Sequence, residues 1–194
     1  MTPKVPTTEP IETDSPLLEA AGILLENADG QLFTTHLNKA LFYLDAESLL
    51  ETGKPVTDAN YVALKRGPVV ENYGLRLVNA LAAAQIAMQD DEDPRWKPVI
   101  LLHRVVPRHM NARQVAMAAK WAKWAKSKTA DELSHYSHDN DAWIIAHARG
   151  EGSSINLHLA IQQLMDEDPW LKEEATEDEK SALADPDGAD FVAW

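Results

Sequence analysis

Two histidines three residues apart, His135 and His138, are of a type that could bind a metal ion. Imidazole and carboxylate groups are common zinc ligands, and Asp131, Asp139 and Asp141 lie beside the pair. The H-x-x-H spacing lacks the glutamate of the H-E-x-x-H motif, and the pair spans a predicted helix break. We therefore expect packing or capping roles, and a metal-dependent hydrolase that uses His135 and His138 remains an alternative.

Other catalytic patterns are incomplete. Ser134 is adjacent to His135, but no G-x-S-x-G turn surrounds it. The segment GEGSS at 150–154 has neither the lysine nor the preceding strand of a phosphate-binding loop. The absence of cysteine removes thiol catalysis. The sequence therefore predicts no catalytic residue, no metal and no cofactor.

A basic stretch between Lys120 and Lys128 is interleaved with Trp121 and Trp124. Such a pattern could bind nucleic acid, an anionic membrane surface or an acidic partner. It is also typical of an amphipathic helix with its tryptophans in the core and its lysines in water, which we favour. The formal net charge of -13 argues against nucleic acid, because binding to phosphates needs an excess of lysine and arginine.

Composition and length predict one domain with two tails. The 194 residues can bury a sizeable core, and 45% of them are hydrophobic. No apolar run approaches the roughly 20 residues that span a bilayer, and the first residues lack an apolar signal core. Together with the missing cysteines, this predicts a cytoplasmic protein without a membrane partner. We expect a disordered N-terminus at 1–15, a helical domain at 16–165 and an acidic, partly ordered C-terminal tail at 166–194.

Helix signals dominate the predicted domain. Ser15 followed by Pro16 is a typical helix start, and Gly53 followed by Pro55 is a typical helix end. Apolar spacing and caps predict helices over 16–29, 35–53, 110–126, 129–137, 141–150 and 155–165.

Strand signals are few and flank a turn. Tyr61–Leu64 and Val99–Val106 are rich in β-forming residues, so we expect them to pair with each other. Gly67-Pro68 marks a corner between the first strand and a long helix from Val69 to about Met88. The predicted fold class is mainly α: a compact multi-helix domain with a small two- to three-stranded antiparallel β element.

Three segments in this order resemble the SocA-like Panacea-domain family of bacterial and phage antitoxins, which includes phage-associated GepA-like proteins. The first is LNKALFYLDAESLLETGKPVTDANYVALKRGPV at 37–69, the second is the apolar run at 99–106, and the third is TADELSHYSHDNDAW at 129–143. The similarity covers roughly residues 37–164. The resemblance implies a mostly helical, non-enzymatic domain that neutralises a cognate toxin by direct protein contact. Some relatives are thought to deliver the toxin to a cytosolic protease, so a proteolytic adaptor, with a protease or chaperone as second partner, is an alternative.

The partner-binding residues are expected around the corner, since tyrosine and arginine supply much of the energy of protein interfaces. The predicted set is Tyr61, Arg66, Gly67, Pro68, Val69 and Tyr73. A core position for Tyr61 and a plain turn at Gly67-Pro68 explain the same residues equally well. We predict that Tyr43, His138 and Trp143 are core or pocket residues, with His138 capping a helix or holding a carbonyl beneath the corner.

Overall fold

The computed structural model describes residues 9–90 and 97–167. The chain divides into two units, Met1–Leu164 and Met165–Trp194, and the second lies almost wholly outside the described residues. The predicted domain boundaries therefore stay predictions. Within the predicted N-terminal tail, Ile11 forms a parallel bridge with Val105, and the Ile11 amide donates to the Arg104 carbonyl at 2.9 Å.

The described residues form seven α-helices, which confirms the prediction of a mainly α fold. The helices are α1 (Pro16–Asn27), α2 (Thr34–Thr52), α3 (Ala80–Ala83), α4 (Ala112–Lys126), α5 (Ala130–His138), α6 (Asp141–Ala148) and α7 (Ile161–Glu167). A π-helix covers Gly74–Asn79, and a 3-10 helix covers Leu157–Ala160. None of the helices in the described ranges is long and apolar enough to cross a membrane.

Local capping explains where several helices begin and end. The Ser15 hydroxyl accepts a hydrogen bond from the Leu18 amide at the start of α1, as predicted. Thr129 and Glu132 form a reciprocal capping box at the start of α5. Gly53 ends α2 in the left-handed conformation, with a φ of +76°.

Helix α2 lies at the centre of the core and packs mainly against α4, and then against β3 and α1. Nearly its whole circumference is buried, and six apolar or aromatic side chains from Leu37 to Leu44 are fully buried. These six are Leu37, Ala40, Leu41, Phe42, Tyr43 and Leu44. A helix that is apolar all round must be covered on every side, so the other elements are arranged around α2.

Five short strands form two separate antiparallel sheets. The strands are β1 (Gln31–Phe33), β2 (Tyr61–Leu64), β3 (Gly67–Val70), β4 (Ala87–Gln89) and β5 (Pro98–Leu101). One sheet has the order β1-β5-β4, and the other is the β2–β3 hairpin. The expected small antiparallel element is therefore confirmed, but as two sheets.

The prediction of a helix from Val69 onward is wrong, because residues Gly67–Val70 pair with β2. Tyr61 lies opposite Val70, and Leu64 lies opposite Gly67. The positive φ of Gly67, +99°, reverses the chain, and the β-branched valines then pair with the strand before the turn. The helix predicted to reach Met88 is also too long, since Gln85 has a φ of +55° and β4 follows.

The predicted pairing of the two apolar strands is wrong as well. Strand β5 is shorter than the predicted run of 99–106, and it pairs with β1 and β4. The outer edge of β2 is covered by the loop before the 3-10 helix instead. There the Ala63 amide donates to the Ser153 carbonyl at 2.9 Å, and the Ile155 amide donates to the Tyr61 carbonyl at 2.8 Å.

Candidate functional site

The β2–β3 hairpin is the candidate functional site, and its turn requires glycine at position 67. The φ of +99° is rarely adopted by other residues. A Cβ atom at Gly67 would lie 2.2 Å from the Ser137 hydroxyl oxygen and 2.5 Å from Lys39 Nζ. The turn is therefore pressed against side chains of α5 and α2.

Two side chains of α2 hold the second strand of the hairpin. Lys39 Nζ donates to the Pro68 carbonyl at 2.8 Å, and the Val70 amide donates to Asn38 Oδ1 at 2.8 Å. Lys39 and Asn38 are only 1% exposed. Buried polar groups need a partner, so these contacts tie the direction of β3 to α2.

Helices α5 and α6 hold the turn itself. The Ser134 hydroxyl is shared between the Ala130 carbonyl at 2.8 Å and the Arg66 carbonyl at 3.3 Å, and Trp143 Nε1 donates to the Leu64 carbonyl at 3.0 Å. The Lys65 amide also donates to Glu151 Oε1 at 3.2 Å. Side chains from three helices and one loop thus bind backbone groups between Leu64 and Val70, and the turn is not a flexible tip.

His138 lies beneath this turn in a stack of three rings. Its ring stacks on Trp143 with centroids 4.0 Å apart, and Trp143 stacks on His147 at 4.4 Å. Burial lowers the pKa of His138, with a smaller contribution from the Lys39 ammonium, whereas a hydrogen bond to the Lys65 carbonyl raises it. Holding a carbonyl beneath the corner is one of the two roles that the sequence suggests for His138.

Among the described residues, the Lys39 ammonium forms no ion pair, and it donates a hydrogen bond to the Pro68 carbonyl. Burial lowers the pKa of Lys39 to about 7. Desolvation penalises the charged ammonium, so the Lys39 side chain loses its proton at a lower pH than an exposed lysine does. Lys39 is therefore a titratable group that bears directly on the conformation of the hairpin.

Tyr61 points into the core and belongs to a second buried polar group. Its hydroxyl donates to Asp45 Oδ2 at 2.7 Å, and the Thr57 amide donates to Asp45 Oδ1 at 2.8 Å. Burial raises the pKa of Asp45, and the hydrogen bonds from Thr57 and Tyr61 oppose that shift. Burial and the Asp45 carboxylate raise the pKa of Tyr61.

Tyr43 lies in an aromatic cluster on the opposite side of α2. Its ring stacks on Trp121 with centroids 5.0 Å apart, and its hydroxyl donates to Gln163 Oε1 at 3.0 Å. The side chain is fully buried. Tyr43 and Trp121 therefore join α2 to α4, and the Tyr43 ring also contacts Tyr136 of α5.

The accessible part of the predicted binding set is smaller than the whole set. Arg66 and Tyr73 are exposed and Val69 is half-buried, whereas Tyr61, Gly67 and Pro68 are buried. Leu75, which the sequence analysis did not select, is 70% exposed on the π-helix that follows the hairpin. Nothing in its sequence context distinguishes Leu75 from the core leucines around it.

Sequence reasoning also missed the residues that hold the hairpin, namely Asn38, Lys39 and Asp45. All three interrupt the apolar surface of α2. A polar residue amid a buried apolar helix is the one signal that could have identified them, because such a residue needs a buried partner. The identity of that partner is not readable from the sequence.

The histidine pair lies on α5, and the basic stretch begins on α4. His135 and His138 lie on one helix rather than across a break, and His135 Nδ1 contacts the Asp131 carbonyl at 2.9 Å. Over residues 9–90 and 97–167, no group of three or more potential metal ligands converges. On α4, Lys120 pairs with Glu47 at 2.6 Å, and Trp121 is buried as the amphipathic pattern predicts.

Fold and site together define a class: a mainly helical domain that holds a two-stranded hairpin in place through buried polar side chains. The chain belongs to the family described as antitoxin SocA-like, Panacea domain, whose model matches residues 37–144, more than half of the 194 residues. This confirms the resemblance, and the match contains most of α2, the hairpin and Trp143. No curated protein and no solved structure matches the chain.

Proposed function

We propose that this chain is an antitoxin that neutralises its cognate toxin, encoded beside it, by direct protein–protein binding. The family description supports an antitoxin-like domain and, in general terms, a toxin-type partner. The proposal adds a contact surface, which consists of Arg66, Val69, Tyr73 and Leu75. We call these four residues the hairpin face.

The observation that carries the proposal is a rigid hairpin followed by exposed apolar side chains. Leu75 is 70% exposed and Tyr73 is 37% exposed, although each has a large apolar part. Leu75 lies in the π-helix and Tyr73 directly precedes it, and π-helical turns are frequent at functional sites. A preorganised surface with aromatic and arginine residues binds with a low entropic cost.

The buried members of the predicted set have a supporting role under this proposal. Gly67 and Pro68 shape the turn, and Tyr61 joins β2 to Asp45. Substituting these buried residues would displace the hairpin face, but it would remove no side chain that contacts the toxin directly. The net charge of -13 favours a basic partner, because electrostatic complementarity increases the rate of encounter.

Co-expression with the product of the adjacent reading frame tests the proposal. The wild-type chain should restore growth and co-elute with the toxin on gel filtration. Leu75→Glu should weaken the complex by about tenfold or more, since it places a charge in an apolar contact. Ile144→Glu is the matched control, because Ile144 is also exposed, at 44%, but lies on α6.

Failure of the wild-type chain to rescue growth, with no complex on gel filtration, would overturn the antitoxin assignment. An equal effect of Leu75→Glu and Ile144→Glu would overturn the hairpin face while keeping the assignment. Measuring the toxin level in the same cells separates the adaptor alternative. An adaptor lowers the amount of toxin, whereas a binding antitoxin leaves an intact complex.

A further inference from the structure

A cavity of about 750 Å³ lies beside the hairpin turn, between β1, the start of α2 and the junction of α4 with α5. Its volume is within the range of small-molecule sites, roughly 300–1,000 Å³. The lining includes one residue of the hairpin face, Arg66, but none of the three others. The cavity is therefore a separate feature of the molecule.

The charge of the cavity is opposite to that of the chain. Four of its lining residues are cationic, Arg66, Lys97, Lys126 and Lys128, and no aspartate or glutamate of the described residues lines it. Lys126 is engaged with Asp29 and with the Ala28 carbonyl. Arg66 and Lys128 form no ion pair with another described residue. In a chain with 31 acidic and 18 basic residues, four cations around one cavity, with Arg66 and Lys128 outside any ion pair of the described residues, need an explanation.

Helix α2 begins at the wall of this cavity. It is 19 residues long, and no side chain caps its first turn. Thr34, Thr35 and His36 line the cavity, so the first turn of the helix borders the same space as the cations. The free amides and the dipole of a helix N-terminus both favour a bound anion.

His36 provides an independent indication of a ligand. The residue is 8% exposed and lines the cavity, and its Nε2 contacts the Lys128 carbonyl at 2.9 Å. Its other ring nitrogen, Nδ1, is buried without a hydrogen-bond partner among the described residues. An unpaired buried nitrogen is costly, so a ligand atom that bonds to Nδ1 would remove that cost.

We propose that this cavity binds a phosphorylated small molecule of nucleotide size, with a phosphate group at the first turn of α2 between Arg66, Lys128 and His36. Arginine and lysine contacts to phosphate are charge-assisted, and the helix amides add further donors. Leu32, Phe33 and Pro98 form an apolar part of the wall against which the remainder of the ligand would pack. Arg66 belongs to both the cavity and the hairpin face, so the test below uses residues that belong to only one of them.

The proposal also implies a linkage between ligand and proton. The contact of Nε2 with a carbonyl oxygen makes Nε2 the protonated nitrogen, so Nδ1 of neutral His36 can only accept. Burial lowers the pKa of His36, and the hydrogen bond to the Lys128 carbonyl raises it. A phosphate oxygen near Nδ1 favours the doubly protonated ring, and the only described charges that line the cavity are the four cations. Binding should therefore take up a proton and strengthen as the pH falls.

Calorimetric titration of the full chain with ATP, AMP, inorganic phosphate and adenosine tests the proposal. ATP and AMP should bind saturably, inorganic phosphate should bind more weakly, and adenosine should not bind. Lys128→Glu should weaken AMP binding by about tenfold or more, which corresponds to one charge-assisted hydrogen bond. Lys123→Glu, an exposed position on α4 outside the cavity, makes the same change in net charge and should leave binding unaltered.

The pH arm of the experiment uses His36→Gln. The glutamine amide can still donate to the Lys128 carbonyl, but it has no counterpart of Nδ1. In the wild type, AMP affinity should rise more steeply from pH 8 to pH 6 than in His36→Gln. Identical slopes would overturn the role of His36.

Absence of saturable binding by ATP, AMP and phosphate would overturn the proposal as a whole. An equal loss in Lys128→Glu and Lys123→Glu would also overturn it, because the effect would then be one of overall charge. Neither result bears on toxin neutralisation, since Lys128 is not part of the hairpin face. Conversely, a failure of Leu75→Glu to weaken the toxin complex leaves nucleotide binding unaffected, because Leu75 does not line the cavity.

Discussion

The β2–β3 hairpin and helix α4 both pack against α2, but they are attached to it in opposite ways. Aromatic rings such as Tyr43 and Trp121 join α4 to α2, and the ion pairs between these helices place their cations at the exposed rim. The hairpin is held by buried polar side chains, Asn38 and Lys39, that bind its backbone. Apolar packing supplies most of the free energy of folding, whereas hydrogen bonds supply direction. The comparison suggests that α4 is built for stability and the hairpin for exact placement of a surface.

The largest expected effect comes from Gly67→Ala in the hairpin. The new methyl group would overlap Ser137 and Lys39, and the positive φ would be strained as well. We expect the free energy of unfolding to fall by about 3 kcal/mol, from overpacking together with backbone strain. Urea denaturation measures the change.

Gly53→Ala is the matched control for that substitution. Gly53 also has a positive φ, +76°, but a Cβ atom there would meet nothing within 4 Å. It should cost about 1 kcal/mol, which is the strain of the backbone alone. Equal losses for the two alanine variants would mean that the side chains beneath the hairpin do not hold it tightly.

An intermediate effect, which depends on pH, is expected from Lys39. Burial lowers its pKa to about 7 from the ordinary lysine value of 10.5, so the unfolded chain binds more protons than the folded chain between these two values. Stability therefore rises with pH across that window, and the cost of the buried charge is fully present below about pH 7. Lys39→Met, which has no such proton, should lose stability relative to the wild type by a few kcal/mol more at pH 10 than at pH 7.

Unfolding free energies of both proteins at pH 7, 8, 9 and 10 provide the measurement. His138 and the other titrating groups are common to the two proteins, so their contributions largely cancel in the difference. A difference that stays constant over this range would show that Lys39 keeps an ordinary pKa and that its burial is not costly.

The smallest effect is expected at the rim between α2 and α4. Arg113 pairs with Glu51 at 2.5 Å, but its side chain is 72% exposed. Water screens such a pair, so Arg113→Ala should change the free energy of unfolding by about 0.5 kcal/mol or less. A loss of unfolding free energy above about 2 kcal/mol would exceed what exposed ion pairs contribute. The contacts at this rim would then stabilise the fold as much as the contacts of the hairpin do.

The limits of sequence-based prediction are clearest on the two sides of Gly67. The strand Tyr61–Leu64 was predictable from its β-forming residues, and the helix starts at Ser15 and Thr129 were predictable from their capping side chains. The structure of Val69 and Val70 was not. A proline after a glycine is as compatible with the first turn of a helix as with an edge strand, and the local residues do not separate the two.

The position of the candidate site was predictable from the sequence, but the contacts that hold it and the side chains that it exposes were not. The sequence located the turn at Gly67-Pro68, and it placed Arg66 and Tyr73 beside it. It did not reveal that Tyr61 faces Asp45, that Lys39 reaches the Pro68 carbonyl or that Leu75 is exposed. Each of these depends on contacts between residues far apart in the chain.

By itself, the sequence determined the helical character, most helix ends and the family, because caps, apolar spacing and motif residues act over a few neighbours. The tertiary structure alone decided which strands pair and which polar residues are buried. It also decided that Arg66, Lys128 and His36 meet at one cavity. The physical reason is that the free energy of a buried polar group or charge depends on its partner, and only packing brings that partner to it.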